Sequence, residues 1–128
     1  MEISSSHQGP YEQGDAARFT GQVWLSPGQS AADGTQMMVV HFTAGARTRW
    51  HAHPGGQLLY GVSGRGLVRS RGGQGHVLVP GEIVHIPPAE WHYHGGAPDS
   101  PMAHVSVSMG GPAQWGGPVT DEEYTEGF

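Results

Sequence analysis

The chain has 128 residues, the usual length of one domain, and a formal net charge of −5 that leaves no basic surface for a nucleic-acid backbone. No apolar run reaches the ~20 residues of a membrane-spanning helix, and Met1 to Ser6 lack the features of a signal peptide, which predicts a cytoplasmic protein. The absence of cysteine excludes disulfides and thiolate metal sites, so the nine histidines are the expected ligands of any metal.

Three segments follow one another along the chain. Residues 1–17 are mostly polar and are predicted to form a loose N-terminal arm. Residues 18–118 contain short apolar or alternating runs, separated by Gly and Pro turns, and none has helical periodicity. These runs predict a single all-β domain, a sandwich or barrel. In the tail, residues 119–128, Thr120 and Glu123 have the spacing of a capping box, which predicts a short C-terminal helix.

Two histidines separated by one residue carry the strongest chemical signal. On an extended strand His51 and His53 point to the same side, and Gln57 follows four residues later. His92, after a Pro-rich turn, can come from a neighbouring strand. Three imidazoles and one amide oxygen suit Mn, Fe, Ni, Cu or Zn better than Ca or Mg. The pair alone also fits ordinary polar residues at a strand edge.

Alternation also distinguishes the two faces of a late strand. His104, Ser106 and Ser108 share one face, and apolar residues form the other. If the polar face lines a metal pocket, the nearby cation lowers the pKa of His104 and favours its neutral, proton-accepting form. The alternative is a solvent-facing histidine. His94 shares the face of His92 and is predicted at the pocket mouth or in a supporting hydrogen bond. The other histidines are predicted to lie away from the site: His7, His41, His76 and His85.

Two spaced motifs resemble those of the cupin superfamily. The pattern G-x5-H-x-H-x3,4-E-x6-G is similar to Gly45, His51, His53, Gln57 and Gly64, with Gln in place of Glu. The pattern G-x5-P-x-G-x2-H-x3-N is similar to Gly81, Pro87 and His92, with Ala89 and Gly96 in place of Gly and Asn. The resemblance implies a jelly-roll barrel (double-stranded β-helix) that holds one divalent metal ion in its mouth. It also implies a homodimer or homotetramer in which edge strands pair between subunits.

A narrower resemblance is to small bacterial cupins with manganese-dependent hydroxynitrile lyase activity. It is carried by segments such as Phe19-Thr20-Gly21, Gly45 to Thr48 and Val119 to Glu122. It implies Mn(II) as the expected ion, with Fe(II), Ni(II) or Zn(II) as alternatives, and His104 as the general base. The implied ligands are His51, His53, Gln57 and His92. The implied pocket residues are Met38, Val40, Phe42, Thr48, His94 and Ser108, of which Met38 and Ser108 depart from the group's small apolar residue and amide.

The expected reaction is reversible cleavage of a cyanohydrin to an aldehyde and cyanide. The neutral Gln57 leaves the full charge on the ion, which favours Lewis-acid chemistry over dioxygen activation. One alternative is a cupin dioxygenase or isomerase acting on another small organic molecule, which oxygen consumption would reveal. Another is a non-catalytic cupin that retains a ligand or metal without turnover. Under each alternative the expected partner is a small molecule, and no binding to nucleic acid or membrane is expected.

Overall fold

Short antiparallel strands form nearly all of the regular structure in the computed structural model, which describes residues 1–128. The fourteen strands are β1 Glu12–Gln13, β2 Phe19–Thr20, β3 Val23–Leu25, β4 Gln29–Ser30, β5 Gln36–Phe42, β6 Arg47–Thr48, β7 His51–Ala52, β8 Gln57–Gly64, β9 Gly66–Ser70, β10 Gly75–Leu78, β11 Ile83–Ile86, β12 His92–Gly96, β13 Met102–Ser108 and β14 Gln114–Trp115. One helix, α1 Asp121–Thr125, follows them. The predicted all-β class is confirmed.

The strands form two seven-stranded sheets. The first sheet has the order β1-β3-β5-β13-β8-β11, with β4 beside β5. The second has the order β10-β9-β12-β6-β2, with β7 paired to β12 and β14 paired to β7. Gln57 and His104 belong to the first sheet, whereas His51 and His92 belong to the second. The predicted site residues therefore come from both sheets, as the jelly-roll resemblance implies.

Apolar side chains from both sheets pack into one core. The strand alternation sends every second residue inward, as on β3, where Val23 and Leu25 are buried and Trp24 is exposed. The core consists of Phe19, Val23, Leu25, Val40, Phe42, Ala46, Leu59, Val68, Leu78, Ile86 and Met102. Phe42 lies against the rings of His94 and His104, so this core adjoins the histidines.

The two ends of the chain attach to opposite sheets. Within the predicted arm, Glu12 and Gln13 pair with β3, so this part of the arm is an edge strand. Two residues are too few to show the alternation by which a strand is predicted from sequence. At the C-terminus the predicted capping box is confirmed, because the Thr120 hydroxyl accepts from the Glu123 amide and the Glu123 side chain accepts from the Thr120 amide. No helix in the structure has the length and apolar character needed to cross a membrane.

Candidate metal centre

Three buried histidines converge between the sheets. His51 on β7 and His92 on β12 are cross-strand partners, and His53 lies just beyond the end of β7. One ring nitrogen of each histidine lies within 4.8 Å of the others, so the three can hold a metal ion. The turn before His92 is tied to this cluster, since the Ala89 amide donates to the His53 carbonyl oxygen. Ala89 has a φ of 62°, the left-handed conformation for which the cupin motif has glycine.

Backbone carbonyls determine which nitrogen of two rings faces the centre. The Nδ1 atoms of His51 and His92 lie 2.9 Å from the carbonyl oxygens of Arg49 and Glu90. A carbonyl oxygen only accepts, so each Nδ1 carries the hydrogen of the neutral ring and Nε2 keeps its lone pair. His53 is buried with no hydrogen-bond partner for either ring nitrogen. Each of the three rings therefore has a free lone pair to offer a cation.

Gln57 brings an oxygen to the same point from the first sheet. Its Oε1 lies 2.9 Å from His92 Nε2, and its Nε2 donates to the hydroxyls of Ser106 and Ser108. A neutral His92 has one hydrogen for two nitrogens, yet both nitrogens face oxygen acceptors, Glu90 O and Gln57 Oε1. One of these contacts must pair two acceptors. A cation bound between His92 Nε2 and Gln57 Oε1 removes that conflict, so these residues fit a metal ion.

Burial keeps the imidazoles neutral. Burial lowers the pKa of His53, of His92 and of His104 to about 4. The pKa of His51 lies well below its ordinary value because of burial and the neighbouring His92, and that of His94 because of burial and the neighbouring His104. At neutral pH these rings are uncharged and their lone pairs are available to bind a metal ion or accept a proton.

A cavity of about 290 Å³ lies beside the cluster. His51, His53 and Gln57 contribute to its wall, whereas His92 is fully buried. Five of the six pocket residues predicted from the sequence also line it: Met38, Val40, Thr48, His94 and Ser108. The sixth, Phe42, does not; it packs in the core, with ring-centroid distances of 5.9 Å to His94 and 5.4 Å to His104.

His104 is hydrogen-bonded to His94 and does not line the cavity. The two rings meet through His104 Nε2 and His94 Nδ1 at 2.9 Å, and His104 is completely buried. His94 is part of the cavity wall, and its Nε2 has no hydrogen-bond partner. The His94 ring therefore lies between the cavity wall and His104, and one hydrogen bond joins the two rings.

Several cavity residues were not assigned to the site by the sequence pattern. They are Glu12, Arg18, Phe19, Leu25, Gln36 and Trp115, and Ser106 also lines the wall. Trp115 stacks on His51, with ring centroids 4.7 Å apart and an angle of 19° between the ring planes. It is brought there by β14, a two-residue strand whose pairing with β7 places Trp115 opposite His51. For Trp115 the only sequence signal is an isolated tryptophan before two glycines.

The remaining histidines lie outside this cluster, as predicted. His41 contacts Tyr11 edge-on, His85 is exposed, and His76 Nε2 lies 3.2 Å from a Glu82 carboxylate oxygen. His7, near the start of the chain, is exposed. None of the four lines the cavity.

Known proteins resemble this chain in both sequence and fold. The chain is 37% identical over 129 residues to a protein of Granulicella tundricola named (R)-mandelonitrile lyase, covering 97% of this chain and 98% of that one. A cupin-like protein of Thermotoga maritima is 41% identical with a TM-score of 0.84, covering 90% of this chain and 91% of that one. The polyketide cyclase RemF of Streptomyces resistomycificus shares the fold, with a TM-score of 0.73, 16% identity and coverage of 97% and 90%.

A family model matches the part of the chain that contains the histidine cluster. The model for the cupin domain covers residues 38–108, more than half of the chain. This range includes both spaced motifs, the four predicted ligands and His104. The chain belongs to the cupin family.

Proposed function

We propose that this cupin is a metal-dependent lyase that reversibly cleaves a cyanohydrin to an aldehyde and cyanide. The observation that carries the proposal is the contact between His92 Nε2 and Gln57 Oε1 beside His51 and His53, where lone pairs converge. The relative named (R)-mandelonitrile lyase, which matches nearly the whole chain, supports this reaction class.

The proposed metal ligands are His51, His53, Gln57 and His92. All four are neutral, since burial lowers the pKa of each imidazole and the amide does not titrate. An ion so held keeps its double positive charge and, when bound, acts as a Lewis acid that stabilises negative charge on the substrate. Mn(II) is the proposed ion, with Fe(II), Ni(II) and Zn(II) as alternatives.

His94 and His104 are the proposed acceptors of the hydroxyl proton. As the C–C bond to the nitrile carbon breaks, cyanide departs with the electron pair, the hydroxyl proton passes to an imidazole, and the carbonyl forms. His94 lines the cavity and is hydrogen-bonded to His104, so the proton can enter at His94 Nε2 while His104 Nε2 takes the hydrogen of His94 Nδ1. The pair returns the proton when cyanide adds to an aldehyde.

The cavity suits a small organic molecule. Its volume of about 290 Å³ is close to the lower limit of ligand pockets, about 300 Å³. Phe19, Leu25, Met38 and Val40 form apolar parts of its wall, while the histidines and Gln57 form a polar side. An aldehyde or cyanohydrin needs this combination, with its carbon chain on the apolar side and its oxygen toward the polar side.

The test combines metal analysis with a cleavage assay. Purified untagged protein is analysed by plasma mass spectrometry and incubated with mandelonitrile while benzaldehyde and cyanide are measured. We expect near-stoichiometric metal and cleavage in the wild type, loss of both in Gln57→Ala and His92→Ala, and retention of both in the matched control His85→Ala, which replaces an exposed histidine.

Other outcomes would overturn the proposal. Wild-type protein that takes up no added Mn, Fe, Ni or Zn ion would refute the metal centre. Metal-bound protein that consumes oxygen without releasing cyanide from mandelonitrile or other cyanohydrins would favour the dioxygenase alternative. Metal-bound protein that retains a ligand without any turnover would favour a binding cupin.

A further inference from the structure

We infer that Ser106 and Ser108 are positioning residues that hold the Gln57 amide with its oxygen toward the metal and its nitrogen away. The inference rests on the proposed metal site and extends it to residues that do not touch the ion. It concerns how this chain makes a neutral amide, rather than a carboxylate, serve as a ligand.

The two serines match the two hydrogens of one amide. Gln57 is 3% exposed, and its Nε2 lies 2.9 Å from Ser106 Oγ and 3.1 Å from Ser108 Oγ. Strand alternation places both hydroxyls on the inner face of β13, and the pairing of β13 with β8 sets Ser108 opposite Gln57. Both donors of this buried NH₂ group are therefore satisfied on the side away from His92.

An amide needs such support because its two ends look alike sterically and differ chemically. The oxygen can bind a cation, whereas the NH₂ group carries two hydrogens and no free lone pair. Without metal, a rotated amide would donate from its NH₂ group to His92 Nε2 and so relieve the conflict between the two acceptors. That orientation turns a hydrogen toward the site of the ion and competes with metal binding.

A hydroxyl accepts from an NH₂ group and donates to a carbonyl oxygen, so the serines keep the metal-binding orientation as fully hydrogen-bonded as the rotated one. Without the hydroxyls, the metal-binding orientation leaves both hydrogens of the buried NH₂ group with no acceptor. The rotated orientation loses the partners of its oxygen but keeps one N–H bond to His92. Metal binding then has to overcome the difference in free energy between the two amide orientations. A glutamate at position 57 would present an oxygen in either orientation, so it would not depend on the serines in this way.

The experiment measures Mn(II) affinity by isothermal titration calorimetry in a double-mutant cycle. The double variant Ser106→Ala/Ser108→Ala is compared with wild type, and the same pair of changes is made in Gln57→Glu. We expect the serine changes to weaken Mn(II) binding about tenfold or more with Gln57 and about twofold or less with Gln57→Glu. Ser106→Thr, which keeps the hydroxyl, should bind like wild type.

Ser63→Ala is the matched control, because Ser63 is an exposed serine on β8. Circular dichroism and thermal unfolding establish that each variant is folded. Unchanged Mn(II) affinity in the double variant would overturn the inference, and so would an equal loss with Gln57 and with Gln57→Glu, which would indicate a general effect on the fold.

The calorimetry separates this inference from the proposed reaction. Suppose that wild-type protein binds Mn(II) and that the serine changes weaken binding with Gln57 but not with Gln57→Glu. If this protein does not cleave cyanohydrins, the result would support the positioning role while refuting the lyase. Wild-type protein that binds none of Mn(II), Fe(II), Ni(II) and Zn(II) would refute both.

Discussion

The contact between His94 and His104 divides the proposed proton transfer between two residues. His94 borders the cavity, and His104 lies behind it with no exposed surface. A single hydrogen bond of 2.9 Å joins them, so one ring donates and the other accepts. Because burial lowers the pKa of His104 to about 4, the buried ring is a neutral acceptor at neutral pH. It can therefore take up the hydrogen that His94 gives up when His94 is protonated from the cavity.

Replacement of His104 by Ala should abolish cyanohydrin cleavage and leave metal content unchanged. The loss should be about 100-fold or more, the range expected for a general acid or base, because His94 then has no partner to receive its second proton. Turnover and bound metal are measured on the same preparation. His41→Ala is the control, because His41 lies on β5 outside the cavity wall. Full activity in His104→Ala would remove this residue from the mechanism.

A buried arginine connects the second sheet to the C-terminal helix. Arg47 on β6 donates from Nε and Nη2 to the Val119 carbonyl oxygen at 3.1 and 2.6 Å, and from Nη1 to the Gly45 carbonyl oxygen at 3.1 Å. Its guanidinium lies 4.8 Å from the ring centroid of Tyr124. Tyr124 Oη donates to the carbonyl oxygen of Gly96, at the end of the strand that carries His92. Helix α1 thus supports the strand that supplies one of the proposed ligands.

Arg47→Lys should lower the free energy of unfolding by about 2 kcal/mol, because an ammonium group cannot make both parallel bonds to Val119. The ion pair with Asp121 contributes little, since that carboxylate is 95% exposed. Urea denaturation measures the change. Arg65→Lys, at an exposed ion pair with Asp99, is the control and should change stability by less than about 0.5 kcal/mol. A similarly small change at Arg47 would show that the bonds to Val119 do not support the fold.

The outer face of the first sheet is apolar and carries no acidic or basic residue except histidine. Cross-strand pairing forms the row Val39, Val105, Tyr60 and Ile83 and the row Met37, Val107, Leu58 and His85. Ile83 is 69% exposed and Met37 52%. The largest apolar patches of soluble monomers are contact surfaces in many cases, and a twofold symmetric copy supplies an identical face. This face is therefore a candidate contact surface, besides the edge strands, for the homodimer or homotetramer that the cupin resemblance implies.

Wild-type protein should sediment as a dimer or larger homo-oligomer at micromolar concentration, and Ile83→Glu should shift it toward monomer. The added carboxylates would be buried near each other in a symmetric interface, which is unfavourable. Sedimentation velocity measures the distribution. Val77→Glu, at an exposed position on β10 of the other sheet, is the control and should leave it unchanged. A monomeric wild type would refute the interface.

Sequence periodicity predicts which side of a strand a residue occupies. It does not predict whether an inward-facing residue lines the cavity or packs in the core. The spacing of His51 and His53 was sufficient to place both rings on one side, and the two motifs identified His92 as their partner. Alternation likewise gives Met38, Val40 and Phe42 one side, yet Phe42 packs in the core and does not line the cavity. Glu12 and Trp115 belong to strands of two residues, too short to show a period, so only tertiary pairing reveals them.

The stacking of Trp115 on His51 has an optical consequence. An indole in contact with the proposed ligand His51 is close enough for an open-shell ion bound there to quench its fluorescence, whereas closed-shell Zn(II) lacks the unpaired electrons needed. Emission should therefore fall as Mn(II) is added and remain bright with Zn(II), and Trp115→Phe should remove the response. Trp115 fluorescence would thus tell an open-shell ion from a closed-shell one at the proposed site, without a label or a substrate.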